Sequence, residues 1–211
     1  MKKPEYKIPK MKEIEETPLN GYRVISTFSG CGGSCLGYRI AGYKVLYANE
    51  FIKEAQETYT ENNPSSYLDK RDIRVVAPEE ILEMSNLKKG ELELMDGSPP
   101  CVSFSASGSK EKGWGKTRDY SGKKQKTDDL FFEYCRILKG IQPKVFVAEN
   151  VAGLVEGKSK GYFLLILKEL KECGYNVKCK ALDARFLGIP QYRERMFFIG
   201  VRNDIEVETV F

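Results

Sequence analysis

Apolar and polar positions along this chain follow two alternating rhythms. Short apolar runs of strand length occur at Tyr22–Phe28, Tyr43–Ala48, Leu92–Asp96, Lys144–Glu149, Asn176–Leu182 and Arg195–Val201. Between them lie stretches with helical spacing. These predict helices at Ser34–Ala41, closed by Gly42, and at Phe51–Glu61, stopped by Asn62-Asn63-Pro64. Further helices are expected at Pro78–Ser85, at Asp128–Lys139 and at Tyr162–Cys173, the last ended by Gly174. A weakly marked third strand is expected to end at Asp72-Ile73. Strands that alternate with helices imply a mostly parallel sheet covered on both faces. Residues 1–20 mix Lys and Glu without a period and read as an N-terminal tail. Residues 21–211 read as a single domain with no internal repeat.

Charge changes this picture at one place. The net charge is only +4, from 34 basic and 30 acidic residues. Yet Lys110, Lys112, Lys116, Arg118, Lys123, Lys124 and Lys126 crowd into residues 102–126, opposed by Glu111 and Asp119 alone. Glycines and serines, Ser105 among them, fill the same segment. It reads as a long mobile loop that meets an anion, such as a phosphate backbone; a solvated linker would have a similar composition. Six cysteines and no histidine occur. No C-x-x-C pair exists, so a zinc ribbon is not expected, and no other metal site is predicted. No signal peptide and no apolar run of membrane-spanning length is visible, and free thiols fit a reducing, cytoplasmic setting. Without histidine, any chemistry must use Cys, Asp, Glu, Lys, Arg or Tyr.

Ligands of open parallel sheets collect beyond the carboxyl ends of the strands, and the candidate residues cluster there. The first strand runs into Phe28-Ser29-Gly30-Cys31-Gly32-Gly33, whose glycines let backbone approach a ligand. Glu50 closes the second strand, where a carboxylate can accept both hydroxyls of a ribose. Asp72 closes the third. A dinucleotide fingerprint would need a third glycine at Cys35. The fourth strand leads into Ser98-Pro99-Pro100-Cys101. Two prolines stiffen the chain before that cysteine, and nearby cations would favour its thiolate. Glu149 follows four apolar residues and is expected to be partly desolvated, able to exchange a proton near neutrality. Arg193 and Arg195 fall on one face of a strand and need anionic or carbonyl partners.

Taken in order, FSGCGG, Glu50, Asp72, GSPPCVSFS, Glu149-Asn150-Val151 and QYRER resemble the DNA cytosine-5 methyltransferases from about Tyr22 to Arg202. The resemblance implies a class I S-adenosylmethionine-dependent methyltransferase fold: an α/β, Rossmann-like, mostly parallel sheet with an antiparallel last strand. It implies that Cys101 is the nucleophile, Glu149 the acid, and Arg193 and Arg195 active-site arginines. S-Adenosylmethionine would be held by Phe28, Gly30, Gly32, Glu50, Phe51, Asp72, Ile73, Pro99 and Leu130. Double-stranded DNA would meet the basic loop, Ser105 and Gln191. A prokaryotic or phage origin is expected.

The chain also departs from the family pattern. Ser26 stands where the family often has Asp, and Asp128-Asp129 precede Leu130-Phe131 in place of Arg-Gly. The target-recognition region and the final closing segment are not found. This leads us to expect a truncated chain, a degenerate gene, or one subunit of a split enzyme whose second polypeptide reads the bases. Rival readings are a same-family enzyme acting on transfer RNA, a silent nucleic-acid-binding remnant, and a nucleotide-dependent oxidoreductase. The missing third glycine argues against the last.

Overall fold

The computed structural model describes residues 8–100, 129–155 and 160–207, with the backbone alone of two short strands at 118–120 and 123–125. In chain order the first elements are α1 (Met11–Glu15), β1 (Arg23–Thr27), α2 (Gly33–Ile40), β2 (Lys44–Asn49), α3 (Lys53–Asn62), β3 (Tyr67–Asp69), α4 (Pro78–Met84) and β4 (Leu94–Gly97). There follow β5 (Arg118–Tyr120), β6 (Lys123–Gln125), α5 (Leu130–Ile141), β7 (Val145–Val151), α6 (Lys160–Glu172), β8 (Tyr175–Asp183) and β9 (Glu194–Arg202). Seven strands form one sheet in the order β3-β2-β1-β4-β7-β9-β8. All pairings from β3 to β7 are parallel. β9 inserts antiparallel between β7 and β8, which is the reversed last strand expected.

Side-chain alternation distributes the core over two faces. On one, Val24, Val45, Ala48 and Leu94 pack with Cys35 of α2 and Tyr59 of α3. On the other, Ile25, Tyr47, Met95, Phe146 and Phe198 pack under α4, α5 and α6. Edge-on aromatic contacts hold this second layer, with Phe146 against Tyr175 at 5.1 Å and Phe131 against Phe198 at 5.9 Å between ring centres. At the amino ends of the strands, Arg23 grips Glu93 at 2.7 Å and Lys144 adds a contact at 3.1 Å.

Three expectations change. The third strand stops at Asp69 and does not reach Asp72. The Asp72 carboxylate instead accepts the Arg74 amide at 3.0 Å and caps a 3-10 turn over Ile73–Val75. That turn drops Ile73 and Val76 into the core, where burial outweighs continued pairing. Within the expected tail, Met11–Glu15 is helical with Ile14 buried, and the Asn20 side chain donates to the Ala41 carbonyl. The helix expected from Asp128 begins at Leu130. The basic segment 102–126 lies outside the described residues, apart from the backbone of the antiparallel β5–β6 pair.

Candidate active site

The strand order reverses between β1 and β4, because β2 and β3 lie on one side of β1 while β4 and β7 lie on the other. Chains leaving β1 and β4 therefore diverge and open a crevice. A cavity of about 550 Å³ occupies it, within the range of roughly 300–1,000 Å³ usual for small-molecule sites. Phe28, Gly30, Glu50, Phe51, Asp72, Ile73 and Leu130, seven of the nine cofactor residues expected, line it.

The other two do not line it. Gly32 has φ +88°, and a Cβ there would sit 2.5 Å from the Asn63 side chain and 3.0 Å from Tyr59. It lets α2 start flush against α3. Pro99 is buried, and its carbonyl accepts from the Asn150 side chain at 3.3 Å. Its neighbours Ser98 and Pro100 line the cavity instead. Ser98 also donates to the Phe28 carbonyl at 3.0 Å, tying the ends of β1 and β4.

Glu50 is buried, yet its carboxylate is held by two backbone amides, Gly30 at 2.8 Å and Ile52 at 2.7 Å. Each oxygen accepts one of these bonds, and a carboxylate has about four acceptor positions. The group is thus fixed in orientation with acceptors left for hydroxyls in the cavity. Across it, the Arg74 guanidinium spans Asp72 at 3.0 Å and Asp129 at 2.8 Å. This clamp joins the 3-10 turn after β3 to the start of α5, and it uses the Asp129 that departs from the family pattern. Arg74 lines the cavity too; sequence reasoning missed it, because the partner lies 55 residues away. Apolar Phe28, Phe51, Ile73 and Leu130 surround this polar rim. Aromatic and aliphatic walls with carboxylates among them suit a nucleoside bearing a ribose.

On the β7–β9 side, Glu149 and Val151 flank Asn150 in the register opposite Arg195–Phe197. The Arg195 guanidinium lies 2.8 Å from the Glu149 carboxylate and that of Arg193 lies 3.9 Å away. Arg193 precedes the strand, and its side chain is the more exposed of the two. The anionic partner that the two arginines demand is therefore Glu149 itself, so this carboxylate is paired rather than isolated in an apolar setting. Gln191 is exposed. The preceding segment is ordered by Arg185, stacked 4.4 Å over the Tyr192 ring.

Asp96 is a further group that sequence reasoning did not single out. It is buried and accepts from Ser34 at 2.8 Å, Ser26 at 3.1 Å and Tyr38 at 3.1 Å. Burial pushes its carboxyl upward, and the three hydroxyl donors oppose that shift. A single polar residue ending an apolar run was its only signal in the sequence.

Cys101, Ser105, Lys110, Lys112, Lys116 and Lys126 lie outside the described residues. Arg118, Lys123 and Lys124 belong to the β5–β6 pair, described by backbone alone.

A sheet of this order, with one reversed strand and a nucleoside-sized cavity at the β1–β4 divide, defines a class I S-adenosylmethionine-dependent methyltransferase fold. The profile of the family described as C-5 cytosine-specific DNA methylase matches residues 22–210, and the chain belongs to that family. Type II methyltransferase M.NgoPII of Neisseria gonorrhoeae is 36% identical over 201 residues, covering 95% of this chain and 54% of that protein. M.FnuDI of Fusobacterium nucleatum is 40% identical over 185 residues, covering 88% and 48%. The chain thus spans about half the length of these relatives. Among solved structures, one described as a DNA modification methyltransferase encoded within an E. coli prophage superposes with a TM-score of 0.73 at 27% identity, covering 90% of this chain and 49% of that one. Spodoptera frugiperda DNMT2 superposes with a TM-score of 0.65 at 21% identity over 88% of this chain and 51% of its own, a likeness of fold.

Proposed function

We propose that this chain carries the cofactor-binding and catalytic part of a DNA cytosine-5 methyltransferase of the restriction-modification type. One observation carries the reading furthest. Asn150, next to Glu149, donates to the carbonyl of Pro99, so the acid-bearing strand is hydrogen-bonded to the chain two residues before Cys101, at the edge of the cavity. Glu50 would accept the ribose hydroxyls, and Phe28, Phe51, Ile73 and Leu130 would enclose the adenine. S-Adenosylmethionine, when bound, supplies an electrophilic methyl group.

The remaining work falls to the protein. Cytosine carbon 5 is a weak nucleophile. Addition of the Cys101 thiolate to carbon 6 converts the ring to an enamine and directs electron density to carbon 5. Glu149 holds or protonates ring N3, and Arg195 holds O2 as charge gathers there. After methylation, a base removes the carbon 5 proton, the carbon 5–carbon 6 double bond re-forms, and Cys101 leaves as thiolate. No step needs histidine. The base must leave the duplex to reach Cys101, and the basic segment would close over it and neutralise phosphates. Sequence-specific reading needs base-edge contacts. We assign these to polypeptide beyond the 211 residues, in the same protein or a second one, in keeping with the half-length match to the relatives. A cytoplasmic setting follows from the DNA substrate.

Two measurements test this. Calorimetric titration of the chain with S-adenosylhomocysteine should show binding, and its absence would remove the cofactor reading. The complete methylating protein should form a denaturant-resistant adduct with DNA carrying 5-fluorocytosine, whose fluorine cannot be eliminated. Cys101→Ser should abolish that adduct, and an adduct that persists would overturn the nucleophile.

A further inference from the structure

We infer that Asp96 is a positioning residue for the cofactor site: its carboxylate fastens both ends of the glycine turn from the neighbouring strand. The inference deepens the proposed function and rests on it for the identity of the ligand. The turn between β1 and α2 is conformationally demanding. Phe28 has φ +53°, Gly30 +56° and Gly32 +88°, and a non-glycine residue in that region costs on the order of 1 kcal/mol or more. Such a turn persists only if its surroundings hold it.

Asp96 supplies that hold. One of its oxygens accepts from Ser34, the second residue of α2, and from Ser26 on β1. The Ser29 hydroxyl, at the entry to the turn, donates to Ser26 Oγ at 3.2 Å and to its carbonyl at 3.1 Å. The second oxygen takes the Tyr38 hydroxyl one turn further along α2. The exit of the turn is therefore bound to the buried Asp96 carboxyl directly, and its entry through Ser26. The turn in turn places the Gly30 amide that orients Glu50.

Ser26 and Asp96 are direct partners in the parallel register of β1 and β4, with side chains on the α2 face. Carboxylate and hydroxyl are thus exchanged across one strand spacing, about 4.8 Å. Ser26 is the position at which the chain departs from the family's aspartate. The geometry predicts that a carboxylate at either partner can serve the same turn.

The test compares the wild-type chain with Asp96→Asn, Asp96→Ser and the double exchange Ser26→Asp/Asp96→Ser. The readouts are amide hydrogen exchange at residues 29–36 and affinity for S-adenosylhomocysteine. Asp96→Asn and Asp96→Ser should speed exchange in the turn and weaken affinity by about tenfold or more, as expected for loss of charge-assisted bonds, while exchange in β7 and β9 stays unchanged. The double exchange should restore both. Unchanged turn exchange in folded Asp96→Asn, or a double exchange no better than Asp96→Ser, overturns the inference. If Asp96→Asn does not fold, Ser34→Ala removes the shortest of the three bonds and should loosen the same amides; unaltered exchange again overturns it. If the wild-type chain fails to bind S-adenosylhomocysteine, the cofactor reading falls, and the exchange arm still decides the role of Asp96.

Discussion

Glu93, just before β4, and Asp96, near its carboxyl end, lie three positions apart, and their surroundings could hardly differ more. Glu93 faces two cations, Arg23 and Lys144. The Arg23 hydrogen bonds hold its carboxyl at about 2, well below the usual glutamate value. Asp96 is more deeply buried, and among the described residues its bonds come from hydroxyls alone. One end of the strand spends its charges on stability. The other buries Asp96 among three hydroxyl donors, and on the β7–β9 side Glu149 and Arg195 face each other. Charge at the amino ends of the sheet should therefore matter to folding, and charge at the carboxyl ends to binding and chemistry.

The largest effect should separate the two ends outright. In the complete methylating protein, Glu149→Gln or Arg195→Ala should lower single-turnover methyl transfer by about 10²–10⁴-fold, the range for lost proton and charge handling. Thermal unfolding should barely move, because a partly exposed pair contributes roughly 0–1 kcal/mol. A large fall in melting temperature with activity retained would reverse the comparison.

At the other end, Glu93→Gln should cost on the order of 2 kcal/mol in urea unfolding at pH 7 and leave S-adenosylhomocysteine affinity unchanged. The sign of its pH dependence is fixed. A carboxyl with a lowered native pKa stabilises above its unfolded pKa, and that contribution fades as pH falls towards the native value. The difference between wild type and Glu93→Gln should therefore be complete at neutral pH, shrink below about pH 4.3 and vanish near pH 2. A difference that grows with acid would contradict the pairing.

The smallest effect is expected at Arg74, which joins Asp72 to Asp129 beside the cavity. Arg74→Gln should alter stability by less than about 1 kcal/mol, as for other exposed pairs. It should weaken cofactor binding several-fold, because Asp72 and the start of α5 lose their common tie. Calorimetry on the same sample measures both.

Much of this arrangement was legible beforehand. The apolar runs gave six of the seven sheet strands, since a buried strand needs little more than a short apolar stretch between turn residues. The third was misplaced: β3 is three residues long at the sheet edge, too short to carry a period, and Asp72 lies in the turn beyond it. The glycine turn, Glu50 and the Glu-Asn-Val strand were readable because each sits at a strand end with its chemistry in adjacent residues. Arg74, Asn150 and Asp96 were not singled out, because each works through a partner distant in sequence.

The sequence by itself determined the alternation of strand and helix, the family, and which residue types could perform chemistry without histidine. Those depend on local patterns of burial and on motifs of a few residues. Only the tertiary structure decided that Arg193 and Arg195 converge on Glu149, that Gly32 packs against α3 and Pro99 bonds to Asn150, and that Ser26 and Asp96 are register partners. Pairing of strands brings together positions 70 residues apart, and no local spacing encodes which side chains will then share a face.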